Sequence, residues 1–219
     1  MLTTVRTDRL LVTRQDPKTR RYQALGELTL RDGQYVFTYY DGAPVELPGL
    51  RRGREHMSET LFPVFGERVM SSHRRDHRRA MEQLDLGPDA EPFEVLAVSG
   101  GRRTGDTYEL TPLPEPGVVD LPFFVHGVRY LTDVERACLD QLTPGQRLRF
   151  EPEESNPKNS RALLVASDGT RLGYVPDPLL EVVRRVMAGE HVLQVVRVNL
   201  PDAGLHQRLL VRLTGTLPG

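Results

Sequence analysis

Three prolines in five residues, in Thr111-Pro-Leu-Pro-Glu-Pro-Gly117, constrain this chain more than any other feature. Proline fixes φ and has no N–H to donate, so such a run forbids helix and interrupts sheet pairing, and Pro122 follows closely. The segment 114–122 is therefore expected to be a linker between domains at 1–113 and 123–219. A length of 219 residues suffices for two small domains, each with its own core. The chain carries 29 basic and 30 acidic residues, and 12 of each stand after Gly117. Neither half has the basic excess of a broad duplex-binding surface.

Ala24 to Leu30 and Gln34 to Tyr40 read as strands of a hairpin turned at Arg31-Asp32-Gly33. Tyr35, Phe37 and Tyr39 recur at period two and share a face. Between Arg68 and Leu84 the period becomes three and four, through Val69, Met70, His73, His77, Ala80, Met81 and Leu84, which predicts an amphipathic helix. Pro92 to Val98 is a short apolar run before Gly100-Gly101, and a surface turn between two strands is expected there.

Beyond the linker, Phe123 to Tyr130 reads as a strand. Thr132 with Glu135 forms a capping box before a helix that turns Val134, Cys138 and Leu142 inward. Arg147 to Glu151, Arg161 to Ala166 and Thr170 to Val175 read as strands. Asp177 caps a second helix with Pro178 in its first turn, and His191 to Val198 and Leu205 to Leu213 are the last strands. This order predicts a mostly β, α+β chain whose second half is a small barrel with two helices.

Little chemistry is visible. The single cysteine, Cys138, allows no intramolecular disulfide, and the six histidines lack metal-ligand spacing, so neither metal nor cofactor is expected. His73 and His77, four apart, have no evident third ligand. No GxxxxGK[ST] loop is present, and Gly100-Gly-Arg-Arg-Thr-Gly105 reads as a surface turn in preference to an anion cradle. Ser71 to Arg79 is the most basic stretch; Arg74, Arg75, Arg78 and Arg79 form either a solvated helix face or a partner-binding one. The N-terminal run, with Arg6, Asp8, Arg9 and Arg14, has no signal-peptide core, and no later run has the length of a membrane span. A cytoplasmic, non-enzymatic protein is expected.

Specific residues in the second half carry a family resemblance: Gly127-Val-Arg129-Tyr130, Cys138 and Leu142, Gly145, Glu153-Glu-Ser-Asn156-Pro157, Ala162 to Val165, and Gly169-Thr-Arg-Leu-Gly173-Tyr174-Val175-Pro176. From Phe124 to about Gly215 the chain resembles the HIRAN domain, which implies a small OB/SH3-like β-barrel with two helices. It also implies binding of DNA, single-stranded or at a 3′-hydroxyl end, with Arg129 and Tyr130 contacting backbone and terminal base, Asn156 shaping the pocket and Tyr174 beside it. The family turn runs Asn-Pro-Tyr-Asp, whereas Lys158 and Asn159 stand here; Lys158 adds a phosphate contact and Asn159 offers a carbonyl acceptor. The competing interpretation makes these ordinary barrel residues of a protein-binding domain.

Leu10 to Leu113 is similar to the N-terminal subdomain of HipA-type kinases. The similarity rests on Gly26 to Tyr39, Ser58 to Pro63, Phe65 to Met70, Pro92 to Gly101 and Tyr108 to Leu110. No HxDxxxxN loop or DFG follows. The resemblance implies a docking domain and, as the alternative function, an antitoxin-like subunit that restrains a separately encoded kinase in a bacterial toxin–antitoxin system. Arg74 to Arg79 and the strand Tyr35 to Tyr39 would then be the contact surfaces.

Overall fold

The computed structural model describes residues 7–103 and 105–219; Arg6, read above with the N-terminal charges, and Thr104 of the glycine-arginine turn lie outside them. The fold is a mostly β, α+β one with two antiparallel sheets and few helices. The chain divides into two compact units that change over between Glu115 and Pro116, with Gln83–Asp85 grouped with the second.

The first sheet has the order β4-β3-β2-β1-β5, from β1 (Arg9–Gln15), β2 (Tyr22–Arg31), β3 (Gln34–Tyr39), β4 (His56–Ser58) and β5 (Tyr108–Pro112). The β2–β3 turn lies where Asp-Gly predicts it, with Asp32 and Gly33 both at positive φ. A single cross-strand row, His56, Phe37, Leu28, Leu10 and Pro112, spans all five strands and is buried throughout. Its centre, Phe37, packs against Tyr39 at 4.7 Å and Phe65 at 5.7 Å between ring centroids. Tyr39 Oη donates to Leu50 O at 2.8 Å. Tyr35 and Tyr39, expected on a contact surface, thus pack partly against the core and are half-buried.

The helix expected over 68–84 is mostly absent. Only α1 (Pro63–Gly66) and α2 (His77–Gln83) are helical nearby, and residues 69–76 are turns, bends and irregular chain. The Arg68 side chain is 3% exposed and tied to Val64 O, Gly101 O and the Asp106 carboxylate. Beyond it Ser71 Oγ accepts from the His73 N–H, while Asp76 pairs with Arg74 at 2.9 Å. Local side-chain bonds of this type compete with helical ones. Arg74 and Arg75 are consequently off the helix, so the four arginines, all exposed, do not share one helical face, and neither do His73 and His77. The apolar run after Pro92 is α3 (Pro92–Ser99), not a strand: Phe93, Val95, Leu96 and Val98 are buried and Gly100 ends it in the left-handed region.

The second sheet has the order β6-β11-β10-β7-β8-β9. Its strands are β6 (Gly117–Phe124), β7 (Arg147–Pro152), β8 (Leu163–Ser167), β9 (Thr170–Tyr174), β10 (His191–Val198) and β11 (Leu209–Leu217). The expected linker 114–122 is therefore strand from Gly117 onward. Pro122 is accommodated because β6 is an edge strand, where a missing N–H costs no ladder bond. Leu121, Leu213, Leu193 and Leu148 form a buried cross-strand row.

The closed barrel expected from the element order is not found. The edges β6 and β9 do not form a ladder; their ends meet at one backbone pair, His126 with Tyr174, joined by two N–H···O bonds of 2.8 Å.

Two helices complete this unit, α4 (Asp133–Gln141) and α5 (Leu180–Met187). The capping box at Thr132 and Glu135 is present, but Val134 is 78% exposed and Leu139 faces the core in its place. Asp177 starts a short 3-10 turn and makes no side-chain cap bond.

Candidate nucleic-acid interface

The strand expected through Tyr130 ends at Phe124. The chain then reverses at Gly127 (φ 79°) into a 3-10 turn, Val128–Tyr130, which buries Val128 and turns Arg129 and Tyr130 outward. Gly127 is needed both for its left-handed backbone and for space, because a Cβ there would lie 2.9 Å from Tyr174 Cδ2. Gly173 serves the same crossing from the other side, where a Cβ would meet His126 O at 2.3 Å. The two glycines let the ends of β6 and β9 touch, and this crossing sets Tyr130 and Tyr174 on neighbouring pieces of chain.

Tyr130 is 58% exposed. The Arg129 guanidinium lies 4.6 Å from its ring centroid and donates to its hydroxyl at 2.5 Å, and Lys158 Nζ lies 5.6 Å from the same centroid. A ring flanked by two cations attracts a planar group carrying negative charge: the ring stacks and the cations bind the anion.

A polar network backs this ring. Glu153 Oε2 accepts from Asn156 Nδ2 at 2.6 Å and from the Tyr174 hydroxyl at 2.9 Å. Burial, and then the hydrogen bond to Glu153, push the Tyr174 phenol above its ordinary pKa, so it stays a neutral donor. Asn156 Oδ1 accepts from the N–H groups of Lys158 and Asn159, closing the turn that carries Lys158 toward Tyr130.

Arg171 and Glu135 tie the start of α4 to β9 through an ion pair of 3.0 Å. Glu135 also accepts from the Thr132 N–H, which, with Arg171, holds its carboxyl below the usual carboxylate range. This anchors the chain immediately after Tyr130.

Arg129, Tyr130 and Lys158 are thus brought together, and Asn156 and Tyr174 are joined through Glu153. Asn159 is placed differently from expectation. Its Oδ1 accepts from the Arg161 N–H at 2.9 Å and its Nδ2 faces Asp177 Oδ1 at 3.3 Å, so the amide is engaged within the turn. Glu153, Arg171 and Glu135 were not among the residues that the sequence singles out for this site. Glu153 could have been found as the carboxylate three residues before an Asx-turn asparagine. Arg171 could not, because a bulge between Val165 and Ala166 brings it beside Tyr174. Among the described residues no group of three or more His, Cys, Asp or Glu is arranged to hold a metal ion, and no helix is long and apolar enough to cross a membrane.

Among solved structures, a protein from Lactobacillus plantarum is 20% identical, with a TM-score of 0.34, over 45% of this chain and 97% of that one. The HIRAN domain of human HLTF is 17% identical, with a TM-score of 0.34, over 47% of this chain and 81% of that one. No curated protein matches. None of the comparisons supports the resemblance of residues 10–113 to HipA-type kinases. The family model that does match is the HIRAN domain, over residues 118–213, the segment that contains Arg129, Tyr130, Glu153, Asn156, Lys158 and Tyr174.

Proposed function

We propose that the C-terminal unit binds single-stranded DNA at Tyr130, and that the protein acts as a binder and not as an enzyme. The observation that carries this is an exposed aromatic ring held between Arg129 and Lys158 inside the segment that matches the HIRAN domain. A base stacks on Tyr130 while the flanking phosphates meet the two cations. Stacking of this kind contributes about 1–3 kcal/mol per base and is tolerant of sequence. The near-neutral charge of the unit fits such a pocket, since stacking and a few phosphate contacts need no broad basic surface.

The engagement of Asn159 within its turn favours recognition of the strand over recognition of its terminal hydroxyl. Fluorescence anisotropy with labelled single strands that carry free or blocked 3′ ends, and with a blunt duplex, tests this. The expected result is equal affinity for the two single strands and weaker binding of the duplex. A strong preference for the free end assigns the site to end recognition, and no binding at low salt removes the DNA reading.

A further inference from the structure

A second feature of the same unit lies away from Tyr130. β7 pairs with β10 only at Leu148 with Leu193 and Arg147 with Gln194; from Arg149 onward it pairs with β8 instead. His191 and Val192 therefore continue β10 with no ladder partner on β7, and a groove of about 510 Å³ opens between the two strands. Its lining includes Arg147, Arg149, Phe150, Asp168, His191 and Val192. Phe150 and His191 face each other with ring centroids 6.1 Å apart and an interplanar angle of 33°.

Arg147 and Arg149 are both exposed, and neither guanidinium makes an ion pair or a hydrogen bond among the described residues. Asp168 is the one acid of the lining, so two arginines outweigh one carboxylate.

The register connects this groove to the site already described. Directly opposed residues of antiparallel strands share a face, and so do residues two apart on one strand. Glu151 lies opposite Leu164, and Leu164 lies opposite Tyr174. Arg149 and Arg147 therefore stand on the same face as Tyr174, about 7 and 14 Å further along β7 than Glu151 at a rise of ~3.4 Å per residue.

We propose that the groove between β7 and β10 is a second contact site for nucleic acid, in which Arg147 and Arg149 bind phosphates of a strand whose base is stacked at Tyr130. This rests on the reading of Tyr130 as a single-strand platform and extends it: the protein covers more of the strand than the ring and its two cations need.

The test compares a thymidine trinucleotide with a thymidine dodecamer across a salt series, for the wild type, for Arg147→Gln/Arg149→Gln and for Arg147→Lys/Arg149→Lys. The wild type is expected to bind the dodecamer more tightly and with a steeper salt dependence. The glutamine pair is expected to lower the dodecamer slope by about 1.4, at ~0.7 per phosphate of a single strand, and to leave trinucleotide binding unchanged. Between 50 and 200 mM salt the wild type would then lose about sevenfold more affinity than this variant. The lysine pair, which keeps both charges, should retain the wild-type slope. An unchanged slope in the glutamine pair, with dodecamer binding intact, overturns the groove assignment and leaves Tyr130 untouched. Failure of the wild type to bind either oligonucleotide overturns the Tyr130 reading, and the groove assignment with it.

Discussion

Phe37 in the first unit and Tyr130 in the second are placed in opposite ways. In the first, Phe37 sits at the centre of a buried five-strand row, with Tyr39 and Phe65 against it and the Tyr39 hydroxyl bonded to backbone. In the second, the corresponding row is four leucines, and Tyr130 stands outside on a 3-10 turn between two cations. The difference lies in the backbone beneath each ring. A strand delivers alternate residues to the core, whereas a turn that follows a left-handed glycine turns its side chains outward. Phe37 on its strand is structural, whereas Tyr130 on its turn stands exposed.

The largest test of that contrast is Phe37→Ala. Truncating a fully buried phenylalanine costs about 3–5 kcal/mol, so the first unit should lose most of its stability in urea or thermal unfolding. Single-strand binding by residues 116–219 should persist under native conditions. A Phe37→Ala protein that remains folded but no longer binds DNA would place an aromatic contact in the first sheet and break the comparison.

A smaller effect probes what holds Tyr130 in place. Because Glu135 has a depressed pKa in the folded protein, its charge adds stability above the ordinary glutamate value near 4.3 and the gain is lost as pH falls through the folded value. Glutamine at this position can still complete the capping box but does not titrate. The wild type should therefore be more stable than Glu135→Gln near neutral pH, and the gap should close as the pH falls below 4. A gap that is constant with pH would show that the pair with Arg171 does not anchor this turn through charge.

Much of the second unit was legible in the sequence. The capping box at Thr132 and the strands that begin at Arg147, Thr170 and His191 are local signals, and they appear in the structure where the residues imply them. The strand that ends before Tyr130 was not legible, because its stop depends on a contact between Gly127 and Tyr174, which lie 47 positions apart in sequence. The helix over 68–84 misled for a related reason. Arg68 anchors to Gly101 and Asp106, and such tertiary bonds override a local period. At the site itself, Arg129, Tyr130, Asn156 and Tyr174 could be named from a motif, while the carboxylate that joins Asn156 to Tyr174 needed the fold.

On the proposed reading Tyr130 binds a ligand and carries no structural load. The most direct measurement takes Tyr130→Ala and determines, on the same preparation, its unfolding free energy and its affinity for a labelled single strand. The expected result is stability within about 0.5 kcal/mol of wild type, as for an exposed residue, together with an affinity loss of roughly 1–3 kcal/mol. Unchanged affinity, or a loss of affinity matched by a loss of stability, would contradict it.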